Sequence, residues 1–249
     1  MMWSFNMKEE EFEFPMIPSK RNRRKLAYGV GVNDAWYKTQ PLVEGKKYQC
    51  PYYKRWNSMI ERGYSHRFKE KHPTYKDVTV CEEWHTFSNF RSWMEKQDWV
   101  GKQLDKDIIL PDNKVYSPET CVFVSSKVNK LLTDSGKSRG RYKQGVYLER
   151  GRFRSQCNNG TRKSKNLGLF PTEQLAYEAY VNYKYTLILQ VASEQEDERV
   201  KNGLLLHADI LLKTLDEEQQ RAEKKAELEK AILDAEEKIK TAKEALGKL

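Results

Sequence analysis

The sequence predicts an α+β chain of small modules: a strand-turn-strand-helix unit, then a three-stranded antiparallel sheet with a helix, then a long C-terminal helix. Three observations carry this. Between residues 103 and 132 a strand pattern in LDKDI leads through the turn residues PDNK to CVFV and the helix-forming SSKVNKLL, with Ser125 or Ser126 as cap. Between 144 and 170 three short segments, QGVYLER, RFRSQCNNG and RKSKNLGLF, are divided by glycine or Asn-Gly turns. From about 204 to 246 Glu and Lys interleave around Leu228, Ile232, Ala235, Ile239, Ala242 and Leu246, a 4-3-4-3-4 spacing.

Composition bounds what these modules can be. The 249 residues are 38% hydrophobic and 33% charged, enough for one or two modest cores. The longest apolar runs fall short of a membrane span, and the opening MMWSFNMKEEEFEF is acidic without an apolar signal segment, so a cytoplasmic protein is expected. Cys50, Cys81, Cys121 and Cys157 lie far apart with no C-x-x-C pair, which argues for reduced structural thiols. In CEEWH, Cys81 and His85 are spaced to share a helix face, but two further zinc ligands are missing.

The formal charge of +9 hides an asymmetry. Residues 1–193 hold 34 basic and 21 acidic side chains, whereas 194–249 hold 11 and 15. A localised positive field of this kind attracts polyanions, and counterion release turns it into binding energy. Charge alone would serve RNA as well as DNA, but no RNA-binding motif accompanies it.

In chain order, residues 1–27 form an N-terminal arm ending in SKRNRRK. Its Lys20, Arg21, Arg23, Arg24 and Lys25 suit either a phosphate backbone or a solvated linker. The AYGVGVNDAW segment has Asp34 where a dinucleotide fingerprint needs its third glycine, and reads instead as a turn or short strand. Within the 28–134 module, Tyr52, Trp56, Met59 and Ile60 make one helical core stripe stopped at Gly63, and Trp84, Phe87, Phe90 and Trp93 make another. Residues 135–143 read as a basic linker, 144–192 as the sheet-and-helix module, and 193–249 as a helical tail. Pro171-Thr172 starts a helix reaching Ala192, with Ala176, Ala179, Tyr180, Tyr183 and Leu187 facing the sheet. The tail offers a coiled-coil seam of under three heptads, broken by Arg221 and Lys225. A single helix packed back on the body explains the pattern nearly as well.

The sheet module carries the strongest functional signal. Residues 136–166 hold ten Lys/Arg against one acid, Glu149. Strand alternation then puts Phe153, Ser155 and Cys157 on one face and Arg152, Arg154 and Gln156 on the other. Guanidinium forks bridge phosphates and read guanine edges, and a twisted sheet fits a major groove, so double-stranded DNA is the expected partner.

GVYLERGRFRSQCNNGTRKSKNLGLFPTEQLAYEAYVNYK resembles the Apetala-type (ethylene-response-factor) DNA-binding domain, which also occurs in phage homing endonucleases. The matching features are the opening GVY, R-F-R on the second strand, LGLF-x-T before the helix and A-Y-x-A-Y within it. The resemblance implies DNA contacts from Arg150, Arg152, Arg154, Arg162 and Lys165, joined by Gln156 on the same strand and by Arg139 and Arg141 at the basic linker. Phe153 stands where the family has a tryptophan.

The preceding hundred residues resemble phage HNH homing endonucleases in VCEEW-x-x-F-x-x-F, the LDKD strand, and YSPE-x-C followed by an Asn-bearing helix. The resemblance implies a ββα unit in which Asp105 and Asn129 hold one divalent metal, magnesium or manganese. Lys106 stands where the general-base histidine belongs, and Thr120 where the orienting asparagine does. A protonated lysine opposes the metal rather than activating water. Two substitutes are available on the expected layout: Asp107, two residues from Asp105 on one strand face, and His85 from the preceding helix. The implied protein acts on duplex DNA in an infected bacterial host. It either nicks that DNA as a metal-dependent endonuclease or binds DNA or a host protein without chemistry, with the C-terminal helix available for a homodimer or a host partner.

Overall fold

The computed structural model describes residues 14–20, 24–133, 141–160 and 164–246; Arg21, Arg23, Arg139 and Arg162 therefore lie outside the described residues. The chain is mixed helix and strand with small sheets, the expected α+β class, and it divides into two compact units.

The first unit comprises the residues up to Thr133 together with Asn159, Gly160 and Val191–Leu204. A hairpin, β1 (Leu42–Val43) with β2 (Lys46–Lys47), precedes α1 (Pro51–Tyr64), α2 (His66–Lys71), β3 (Thr79–Val80) and α3 (Phe87–Met94). Next come β4 (Gln103–Asp105), β5 (Val115–Tyr116), β6 (Val122–Val124) and α4 (Ser126–Leu132). Both aromatic stripes are core. Tyr52, Trp56, Met59, Ile60, Trp84, Phe87 and Phe90 are buried, and Trp93 packs against them. Trp56 Nε1 donates to the Trp84 carbonyl at 2.7 Å, and Trp84 meets Phe90 and Trp93 with ring centroids 5.1 and 4.6 Å apart. Each such side chain stabilises by about 2–3 kcal/mol through apolar burial, so a mostly polar chain can still hold this unit together.

Two expectations change here. Gly63 does not stop α1, which runs to Tyr64; a Cβ there would meet Val80 Cγ2 at 3.1 Å, so the glycine serves close packing on β3. Trp84 and His85 lie not on a regular helix but in a 3-10 turn, Glu82–His85, whose three-residue period takes Cys81 and His85 off a common face.

In the second unit β7 (Val146–Glu149), β8 (Arg152–Asn158) and β9 (Ser164–Phe170) form the expected antiparallel sheet in the order β7-β8-β9. Arg150 and Gly151 join the first two strands with φ of 49° and 79°, the positive pair that a two-residue hairpin of the right twist requires. Helix α5 (Glu173–Ser193) starts where Thr172 Oγ1 accepts from Leu175 N at 3.3 Å; its residues to Gln190 belong to this unit. Ala176 and Tyr180 are buried in the core with Val146 and Cys157, and Tyr183 and Leu187 pack against it. Tyr177 and Val181 join them while Ala179 is only half-buried, so the buried face is turned from the predicted one. Gly145, at φ 77°, lets the chain enter β7 beneath Tyr180, whose ring a Cβ would strike at 2.1 Å.

Helix α6 (Glu198–Leu246) begins earlier than the heptad pattern suggests, because Asp197 caps it by accepting from Arg199 N at 2.9 Å. It belongs to the second unit from Leu205, where Leu215 is buried in the sheet-helix core and Leu211 and Leu212 pack on it. Leu228 and Ile232, the first two positions of the predicted seam, are exposed. No described helix is long and apolar enough to cross a membrane.

Candidate nucleic-acid interface and the Asp105 site

Strand alternation sorts the sheet as predicted. Ser155 and Cys157 are fully buried on the α5 side and Phe153 packs on that core, while Arg152 is exposed and Arg154 and Gln156 are half-buried. The strand register aligns Tyr147, Arg154 and Leu169 in one row across the outward face, and Glu149 with Arg152 in the next. Tyr147 and Leu169 are 49% and 41% exposed, so two apolar groups flank the central guanidinium. Neither was singled out from sequence; alternation alone would have put Tyr147 on this face, but the register was needed to set it beside Arg154.

The guanidiniums are anchored differently. Arg154 Nε lies 2.5 Å from Glu149 Oε2, so the single acid of the basic stretch sits on the central arginine and offsets its charge. Arg152, exposed, donates from Nη2 to the Leu169 carbonyl at 3.1 Å. Arg150 is exposed at the hairpin tip. Arg141, also exposed, lies 5.0 Å from the Tyr142 ring centroid and donates to its hydroxyl at 2.8 Å. A register shift between Ser155 and Gln156 leaves Leu167 unpaired and sets Lys165 opposite Cys157. Lys165 therefore shares the α5-side face at the exposed end of the sheet, away from the arginine row.

The strand-strand-helix unit of the first unit is also present, as antiparallel β4 and β6 followed by α4, whose cap Ser125 Oγ accepts from Val128 N at 3.2 Å. Its connection is not the simple turn expected. Residues 106–121 include β5, which leaves the hairpin to pair in parallel with β3. Strand β4 ends at Asp105 because Asp105 Oδ1 accepts from the backbone N of Asp107 at 2.7 Å and of Ile108 at 2.9 Å, taking both donors out of the ladder. The shared strand face expected for Asp105 and Asp107 is thereby lost.

Lys106 is only 6% exposed. Its Nζ bonds Asp107 Oδ1 and donates to the Asn113 carbonyl at 2.7 Å, 6.0 Å from the ring centroids of Tyr75 and Tyr116. It is a paired, largely buried cation. Thr120 Oγ1 donates to the Val115 carbonyl at 2.9 Å and lies 3.1 Å from Ser117 Oγ, which closes a local loop. His85 Nε2 lies 2.8 Å from Tyr64 Oη and 3.1 Å from the Val80 carbonyl, holding the turn onto α1 and β3. Asn129 Nδ2 donates to Gln103 Oε1, so the asparagine meets Gln103 of β4 and not Asp105, the partner expected for it.

Burial pushes the Asp105 carboxyl above its ordinary value, against the pull of its two amide bonds, and Arg62 lies within electrostatic reach. Among the described residues no group of three or more His, Cys, Asp or Glu is placed to hold a metal ion. One carboxylate already accepting two N–H bonds, with one amide, is a thin donor set for a hard divalent cation that favours six oxygens.

Comparison with protein-family models, with curated proteins and with solved structures finds no match for this chain.

Proposed function

We propose that the chain binds double-stranded DNA through the outward face of the β7-β8-β9 sheet, with Arg150, Arg152 and Arg154 on phosphates or guanine edges and Tyr147 and Leu169 against the groove. The observation that carries this reading is the one-sided sorting of β8: its apolar side chains are spent on α5, and its arginines stand on a rigid strand facing away. Arginines on a flexible surface would lose more side-chain entropy on binding than these partly anchored forks. Anisotropy titration of a labelled random-sequence duplex tests the reading, with affinity falling roughly tenfold or more in the Arg152→Ala/Arg154→Ala protein. Equal affinity would remove the sheet from the account.

The first unit, in this proposal, is an HNH-like scaffold that binds without cutting. Lys106 pairs with Asp107 rather than serving as a base, Asp105 is engaged in its own turn, and Thr120 orients a loop rather than a histidine. Incubating supercoiled plasmid with the protein and magnesium or manganese decides between this reading and nicking. The plasmid stays supercoiled on the binding-only reading. Nicking that Asp105→Asn abolishes would restore the endonuclease reading, with Asp105 and Asn129 on one metal.

A further inference from the structure

A second basic feature, outside the sheet, lies in the first unit. The face of α1 beside its apolar stripe carries Lys54, Arg55, Ser58 and Arg62. These residues line a cleft of about 250 Å3 closed by Gln103 and Leu104 of β4 and Asn129 of α4. Its lining holds three cations, two amides and a hydroxyl, and no carboxylate. Arg55 Nη2 donates to the Lys102 carbonyl at 2.9 Å, and Arg62 Nη1 to Tyr116 Oη at 3.3 Å, with the Arg62 guanidinium 5.9 Å from the Tyr75 ring centroid. Among the described residues Lys54, Arg55 and Arg62 form no ion pair.

The lining thus concentrates positive charge on one side of the cleft. Two half-buried guanidiniums close enough to repel stand with a lysine at the rim, and Arg62 alone is also in electrostatic reach of Asp105, which is not part of the lining. Burial first, and then the Arg62 charge, pull the Arg55 pKa down, whereas Tyr116, Tyr75 and Asp105 hold that of Arg62 up against its burial. The donors match a tetrahedral oxyanion: planar forks for paired oxygens, amide N–H groups and a hydroxyl for the rest, and a point charge at the mouth. At about 30 Å3 per water the space equals roughly eight waters, room for a phosphodiester group rather than a lone small ion.

We propose that this cleft is a phosphodiester site, a contact with a nucleic-acid strand made by α1, β4 and α4 independently of the sheet. The inference rests on the nucleic-acid reading above and extends it to the first unit. A thymidine tetranucleotide tests it by NMR titration of the full chain. The tetranucleotide should shift the Arg55 and Arg62 Nε–H signals and the side-chain amides of Gln103 and Asn129, and inorganic phosphate should do the same only at higher concentration. Lys54→Glu, at an exposed rim position, should weaken the tetranucleotide roughly tenfold while leaving the melting temperature unchanged. Arg152→Ala/Arg154→Ala should leave the tetranucleotide response intact, which separates a failure of this site from a failure of the sheet. Tetranucleotide shifts confined to the sheet residues, or unaltered by Lys54→Glu, would overturn the proposal. A response to phosphate with none to the tetranucleotide would make the cleft a free-phosphate site and overturn the strand assignment.

Discussion

The sheet and the Asp105 region both gather charged side chains and treat them in opposite ways. On β8, alternation leaves Arg152 exposed and Arg154 half-exposed, one acid is paired with the second, and the opposite face is closed by α5. Around Asp105 the charged groups satisfy one another: Lys106 with Asp107 and Asn113, Asp105 with the two amides that follow it. Charge counted along a sequence is therefore not charge available to a ligand. What decides is whether the local geometry turns the side chain outward or supplies it with a partner.

The largest effect that tests this contrast comes from breaking one region's core. Trp56 is fully buried and bonded to Trp84, so Trp56→Ala should cost the first unit about 3–5 kcal/mol. Hydrogen exchange should report opening there first. At temperatures below its transition the variant should keep the duplex affinity carried by the sheet.

A smaller effect separates the structural from the catalytic use of Asp105. Asp105→Ala leaves two backbone donors without their acceptor and should cost about 1–3 kcal/mol, whereas Asp105→Asn retains an Oδ1 for both. Because burial raises the folded carboxyl above its unfolded value, the ionised form subtracts stability at neutral pH, and this loss fades as pH falls through the raised pKa. Asp105→Asn should thus melt at or above the parent at pH 7, with the gap closing toward acid. A large loss of stability in Asp105→Asn at neutral pH would show that the carboxylate itself is needed.

The smallest change sharpens the sheet. Glu149→Gln removes the acid that sits on Arg154 and should tighten duplex binding a few-fold, with the gain shrinking at high salt. A loss of affinity would mean that Glu149 positions Arg154 rather than masking it.

Much of this was legible from residues alone. The three strands, the helix after Thr172, both aromatic stripes and the facing of β8 all follow from periodicity and turn chemistry, which are local. Connections and registers were not legible. Nothing in PDNK signals that β5 will leave to join β3, since that pairing lies between segments 35 or so residues apart and depends on tertiary packing. The strand face assigned to Asp107 was lost to a side-chain bond of Asp105, a competition that propensity does not resolve. Lys165 was displaced by a one-residue shift at Leu167. The cationic face of α1 was visible, with Lys54, Ser58 and Arg62 four apart beside the apolar stripe, but it becomes a cleft only once β4 and α4 close over it.

The most direct measurement is the salt dependence of duplex binding for the parent and for Arg152→Ala/Arg154→Ala. If both guanidiniums contact phosphates, the slope of log K against log salt should become shallower by about 2, at roughly 0.9 per phosphate contact, together with the loss in affinity. Unchanged slope and affinity would contradict the account, because the face that the fold turns outward would then not be where the DNA lies.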